Sequence, residues 1–175
     1  MLNKLTQFKL RGGGRNKFQQ FLLNWLHGYN HEKYWHRRSI IIDPTSKSPT
    51  IVKIYYMLWL KRIDAKHHCS FGTFFNRGSV FETPPTLPHG PNGIICGYDA
   101  KIGKKCRIYH QVTIADGNVT IGDYTEIGAG AKILSGVKIG SHCHIGANAV
   151  VVEDMPDYST CVLSKPRIII KPKPN

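Results

Sequence analysis

Acidic side chains are scarce in this chain: 11 Asp and Glu stand against 24 Lys and Arg in 175 residues, a net charge of +13. Such an imbalance raises the question of a nucleic-acid partner. The basic residues are scattered, however, from Arg11 and Arg15 to Lys171 and Lys173, and no nucleic-acid motif gathers them. The charge suits a phosphate-bearing cofactor, peripheral contact with an anionic membrane surface, or a plain solvated face. No stretch of about eighteen apolar residues occurs, so no membrane-spanning helix is expected. Met1-Leu2-Asn3-Lys4 lacks the apolar core of a signal peptide. Cysteine is also sparse. Five residues, an odd number without Cys-x-x-Cys spacing, argue against a disulfide framework and a zinc site. These absences lead to the expectation of a cytoplasmic protein.

What the chain does have is a six-residue beat through its second half. An aliphatic or small apolar residue recurs at Cys96, Ile102, Ile108, Ile114, Ile121, Ile127, Ile133, Ile139, Ile145 and Val151. Glycine follows at Gly97, Gly103, Gly122, Gly128, Gly140 and Gly146. A second small residue returns at Ala100, Cys106, Val112, Thr125, Ala131, Val137, Cys143 and Ala149. Six is a multiple of the strand period of two and does not fit a helix. Each hexapeptide therefore reads as a short strand and a corner, three of them closing a triangular coil of about eighteen residues. Stacked coils align the beat residues into one apolar column. The glycines are expected where the chain bends with positive φ, and Cys96, Cys106 and Cys143 as compact apolar fillers. Ile114 and Ile121 are seven apart, so Ala115–Thr120 must bulge, and such insertions usually form loops on the binding side.

The first part of the chain has a different texture. Phe18–Leu26 is a short apolar run suited to a helix, and the segment from Pro44 to Pro49 reads as a turn. Thr50 is placed to cap a helix to about His67 through Ile51, Ile54, Tyr55, Leu58, Trp59 and Ile63. Tyr55 and Trp59 read as packing residues. The expected organisation is a helical lead-in over 1–70 that covers the open first coil, a solenoid over 71–164, and an extended tail over 165–175.

Most of the nine histidines need no special role. His27, His31, His36, His67 and His68 read as surface or packing residues. His142 and His144 sit at a corner without an obvious partner or third metal ligand. His89 is different, because it lies in Leu87-Pro88-His89-Gly90-Pro91-Asn92-Gly93-Ile94, where irregular coils give way to the regular repeat. A neutral imidazole projecting from a rigid corner can take a proton from an alcohol. A structural turn histidine would occupy the same place.

Leu-x-His-Gly-x-x-Gly-Ile, followed by Ala100-Lys101-Ile102-Gly103, Val112-Thr113-Ile114, Ile127-Gly128-Ala129-Gly130-Ala131-Lys132-Ile133-Leu134 and Ile145-Gly146-Ala147, resembles the serine acetyltransferases. It is also similar to shorter relatives linked to bacterial surface-polysaccharide synthesis. The resemblance implies a left-handed parallel β-helix, a homotrimer, and acetyl transfer from acetyl-CoA to a hydroxyl. It makes His89 the general base and puts the backbone of Ala129 and Ala147 along the CoA channel. Ser164 falls near the family's last turn, and Lys132, Lys165 and Arg167 become candidates for the CoA phosphates. A backbone N–H of a neighbouring glycine is expected to steady the oxyanion.

Two departures shape the expected acceptor. The family's longer loop, with a second histidine and an arginine for the amino acid, shrinks here to Ala115–Thr120 and has neither. The helical N-terminal domain is reduced as well. An amino-acid carboxylate favours a bidentate arginine, so a sugar hydroxyl of a surface polysaccharide or its precursor is expected first and L-serine second. A non-catalytic scaffold is the alternative of another class. His110 is placed to replace the missing histidine in part, or else is a solvent-facing rung residue. A bare count puts Phe74 where the family has the acidic partner of its base; allowing for gaps, Glu82 and Asn76 are the candidates.

Overall fold

The computed structural model describes residues 28–164; the apolar run 18–26, Lys165 and Arg167 lie outside the described residues. From Ser70 onward the chain winds as a parallel β-solenoid of two-residue strands. One face stacks β1 (Ser70–Phe71), β5 (Ile95–Cys96), β8 (Thr113–Ile114), β11 (Lys132–Ile133) and β14 (Val150–Val151). A second stacks β4 (Val80–Phe81), β6 (Lys101–Ile102), β9 (Thr120–Ile121) and β12 (Lys138–Ile139). The third stacks β7 (Arg107–Ile108), β10 (Glu126–Ile127), β13 (His144–Ile145) and β15 (Thr160–Cys161). The small antiparallel pair β2 (Thr73–Phe74) and β3 (Arg77–Gly78) projects from the first coil. The architecture is consistent with the left-handed hexapeptide coil.

Register turns the six-residue beat into columns. Phe71, Cys96, Ile114, Ile133 and Val151 lie one above another on the first face. No beat residue is more than 4% exposed, so the column is dry. Thr113 pairs with Ile95 eighteen positions earlier and with Lys132 nineteen positions later. The extra residue is absorbed at Asp116–Asn118, and Val119, fully buried, takes the second inward place in that coil. The Asp99 carboxylate accepts from the N–H groups of Gly117 and Asn118, and Asp116 accepts from that of Tyr98. Partial desolvation opposes ionisation of Asp99, yet those backbone donors keep its carboxyl below the ordinary range.

The beat glycines serve a purpose other than the expected one. Positive φ falls instead at the corner residues Lys105, Gln111, Asn118, Tyr124, His142, Asn148 and Tyr158, and at the glycines off the beat, Gly117, Gly130 and Gly136. The glycines are needed because successive coils nearly touch. A Cβ on Gly122 would lie 2.5 Å from the nitrogen of Ser141, and one on Gly128 would lie 2.7 Å from that of Ala147.

Two helices close the first coil. The α1 helix, His31–Ile42, was not legible in the sequence; the Asn30 side chain caps it by accepting from Lys33 N at 2.9 Å. The α2 helix, Thr50–His67, has its expected span, but Pro49 holds the N-cap position and Thr50 caps nothing. It ends where His68 turns left-handed. The buried face of α2 carries Leu60, Ile63, Asp64 and His67, while Ile51, Ile54, Tyr55 and Leu58 point outward. Tyr55 is therefore an exposed residue at 59%, stacked with Arg37 rather than packed in the core.

Arg38 plugs the open end of the column. Its guanidinium, 2% exposed, donates to the carbonyls of Phe71 and Ser79 at 2.7 Å and to Thr73 Oγ1 at 3.1 Å. Trp35 and Phe81 lie against it. Burial pushes the Arg38 pKa down, yet guanidinium remains protonated in proteins. A charge this deep is tolerable because its Nε and Nη2 donors are satisfied. All five cysteines are free thiols, and Cys96, Cys106 and Cys143 are inward fillers as expected.

Candidate functional site

Between the third and first faces the chain turns one corner of the prism, and that corner repeats in every coil. Backbone hydrogen bonds tie its levels together: Gln111 N to Asn92 O, Gly130 N to His110 O, and Asn148 N to Ala129 O, at 2.8–3.0 Å. The His89 ring meets that of His110 at the head of this edge, and Asn92, His110, Ala129 and Ala147 thus lie in one column along it. Hexapeptide spacing delivers them there, since equivalent corner residues recur once per coil.

His89 sits exposed on the first level, in a turn closed by Gly90 N to Leu87 O. Asn92 braces that turn, its Nδ2 donating to the His89 carbonyl at 2.9 Å. The amide oxygen then faces His67 Nδ1 at 2.8 Å. An amide oxygen only accepts, so His67 Nδ1 carries the proton. Gly93 N donates to the His67 carbonyl at 2.9 Å, fastening the turn to the end of α2. A cleft of about 490 Å³ opens here, lined by Lys66, His67, His68, His89, Asn92, Gly93, His110 and Gln111. The His89 and His110 rings meet edge-on, centroids 5.2 Å apart and planes at 85°, and the Tyr109 ring lies 5.8 Å from that of His89.

Several expectations are corrected by this geometry. Glu82 pairs with Lys104 at 3.5 Å, and the Asn76 side chain accepts from Lys53 at 2.9 Å, so each is engaged away from His89. His67 and His68, read as surface or packing residues, belong to the cleft. Neither His67 nor Asn92 was singled out in the sequence as a site residue; the only cue to Asn92 was its place three residues beyond His89 in a Pro/Gly-rich turn. The insertion at 116–118 lies on the corner between the first and second faces, away from the His89 edge. His142 does have partners: its ring stacks between Tyr124 and Tyr158 at 4.9 and 4.8 Å, planes within 7°. Among the described residues no three His, Cys, Asp or Glu side chains gather to hold a metal.

The lower edge suits an extended ligand. Ala129 is half-buried and Ala147 exposed, and among the described residues their N–H groups take no hydrogen bond. The nearby glycine N–H groups, Gly90, Gly93 and Gly130, are all occupied, contrary to the expected oxyanion donor. Lys132 is turned back onto its own corner, donating to Gln111 O and Thr113 Oγ1 at 3.0 Å. Ser164 is exposed at the last described position.

Residues 118–152 match the model of the bacterial transferase hexapeptide, six repeats. The fold is similar to that of solved serine acetyltransferases. Isoform 3 from Entamoeba histolytica, in complex with cysteine, is 28% identical over 69% of this chain and 44% of that one, TM-score 0.56. The Neisseria gonorrhoeae enzyme in complex with serine is 27% identical over 77% of this chain and 54% of that one, TM-score 0.58. A serine acetyltransferase in complex with CoA is 23% identical over 74% and 50%, TM-score 0.57, a likeness of fold. A comparison with curated protein sequences gives no match. The chain spans about half the length of these enzymes or less. It is a hexapeptide-repeat protein similar to the serine acetyltransferases.

Proposed function

We propose that this protein transfers the acetyl group of acetyl-CoA to the hydroxyl of a small acceptor, with His89 as general base. The observation that carries the reading is the edge itself: paired imidazoles at its head, and open Ala129 and Ala147 N–H groups below. An alcohol attacks a thioester at neutral pH only if it loses its proton as it attacks. His89 takes that proton while the hydroxyl oxygen bonds to the acetyl carbonyl carbon. As the carbon–sulfur bond breaks, the proton passes from the imidazolium to the departing sulfur, leaving an acetyl ester and a free thiol. The thioester is activated already, so no acyl-enzyme is required. The open N–H of Ala129 is suited to the oxyanion, and that of Ala147 to the pantetheine amides.

Two acceptors follow from different observations. The likeness to serine acetyltransferases, including structures with serine and cysteine, supports L-serine, the acceptor placed second in the sequence reading. The short Ala115–Thr120 segment, without arginine or histidine, supports a sugar hydroxyl if a neighbouring prism brings that corner to the His89 edge. Incubating the pure protein with acetyl-CoA and a thiol reagent, with L-serine or a panel of sugars, decides between them. Thiol release that never depends on an acceptor would leave a scaffold. The edge faces outward from its own prism, so a homotrimer with sites between neighbours completes the proposal. Light scattering showing a monomer at micromolar concentration would contradict it.

A further inference from the structure

His110 carries a polar atom that nothing among the described residues satisfies. Its Nδ1 is buried and has no hydrogen-bond partner among them, although the residue lines the same cleft as His89. A neutral imidazole holds one proton on one of two nitrogens, and the partner of each nitrogen decides which. A sealed N–H without an acceptor is among the rarest of buried groups, whereas an unused lone pair is better tolerated. The proton of His110 therefore belongs on Nε2, the nitrogen that is not sealed in this way, in a residue that lines the cleft. His89 and His110 then divide the work, for the base must present a lone pair where its neighbour presents an N–H.

We propose that His110 is a specificity-determining residue whose Nε2–H holds a second oxygen of the acceptor, beside the hydroxyl that His89 deprotonates. This rests on the acetyl-transfer reading of the cleft. Two rings meeting edge-on at 5.2 Å suit two neighbouring oxygens on one small molecule better than one isolated alcohol. The shared chemistry is a hydroxyl with an adjacent oxygen, found both in a serine carboxylate and in the next hydroxyl of a sugar. The cleft lining contains no Asp or Glu, so neither oxygen meets a repelling charge or a competing acceptor there.

The donor is tested first without turnover. In the full chain labelled with ¹⁵N-histidine, at about pH 8 where an ordinary imidazole is neutral, His110 should show a protonated Nε2 and a bare Nδ1. The His110→Gln variant assigns the signals, and a proton on Nδ1 would overturn the proposal. Kinetics test the contact. His110→Ala should raise the acceptor KM about ten- to a hundredfold, leave the acetyl-CoA KM unchanged, and spare kcat at saturating acceptor. His110→Gln, which keeps an N–H donor, should recover part of the loss; a purely structural role would move both KM values and the melting temperature together. Removing the second oxygen should cost the parent as much as His110→Ala and cost that variant nothing more. 2-Aminoethanol against L-serine tests the carboxylate, and a deoxy sugar against its parent tests the hydroxyl. Additive losses would show that His110 does not touch that oxygen. Absence of turnover with every acceptor would defeat the acetyl-transfer reading and the acceptor contact with it, while the tautomer is still decided by the spectrum.

Discussion

Asn92 holds His89 by its main chain, donating to the His89 carbonyl at 2.9 Å from three residues further on. Because its other amide atom engages His67, one exposed side chain fixes the proposed base relative to both α2 and the solenoid. Asn92→Ala should lower kcat about ten- to a hundredfold, the scale expected when a reacting group loses its alignment. The acetyl-CoA KM and the melting temperature should hardly change, since Asn92 is exposed and fills no core space. Unchanged kcat would show that the turn needs no brace.

Replacing the proposed base tests chemistry rather than alignment. General-base help is typically worth about 10²–10⁴ in rate. His89→Ala should lower kcat by that order while acetyl-CoA affinity, read by calorimetry, stays close to that of the parent. His89→Asn should be similarly slow, because it retains shape without basicity. Near-normal turnover in both, with turnover abolished in His110→Ala, would reassign the base to His110.

The solenoid was legible because its period depends on contacts that every coil repeats. Ile102, Ile121 and Ile139 meet the same surroundings level after level, so one rule predicts them all. Even the slip at 115–120 was visible, although not that Val119 would restore the inward place. The lead-in follows no such rule. α1 is held by one buried arginine and an aromatic cluster; on α2 the sequence pattern placed Ile63 and Trp59 against the core correctly, but the exposed stripe of Ile51, Ile54, Tyr55 and Leu58 imitates a core face. At the site, His89 drew notice by its place where irregular coils give way to the regular repeat, and the resemblance to the serine acetyltransferases singled out both it and His110. His67 did not, because it reaches Asn92, 25 residues away, only after α2 docks against the turn.

Gly122 and Gly136 should fail for different reasons. At Gly122 φ is ordinary, and a Cβ would lie 2.5 Å from Ser141 N and 2.6 Å from Gly140 C. Gly122→Ala should therefore destabilise by about 1–3 kcal/mol through forced separation of the coils. At Gly136 φ is +78° and the nearest atom lies 4.0 Å away. Gly136→Ala should cost about 1–2 kcal/mol in left-handed strain, whereas Gly136→Asn should cost less, as Asn118 and Asn148 already adopt positive φ. Thermal melts of the three variants check this, and a fully stable Gly122→Ala would contradict the close approach.

Alkaline unfolding should reveal the dry column. Burial is the leading cause that pushes the Cys96 thiol up to about 12 and the Cys106 thiol up to about 11. An unfolded cysteine ionises near pH 8.5, so above that pH the unfolded chain gives up protons that the folded chain retains. The sign follows from linkage: the stabilisation is fully present below about pH 8.5 and is lost as pH climbs toward the folded values. Each thiol held neutral in this window adds a slope of at most about 1.4 kcal/mol per pH unit. Tyr29 and Tyr34, also raised chiefly by burial, act in the same direction at higher pH. They are common to parent and variant, so the difference isolates the thiol. Cys96→Ala should melt lower than the parent at pH 7, having lost a filler, yet lose less stability between pH 9 and 11. Melting curves at both ends of that range measure the two effects separately. Equal pH slopes in parent and variant would mean that Cys96 ionises in place and that solvent reaches the column.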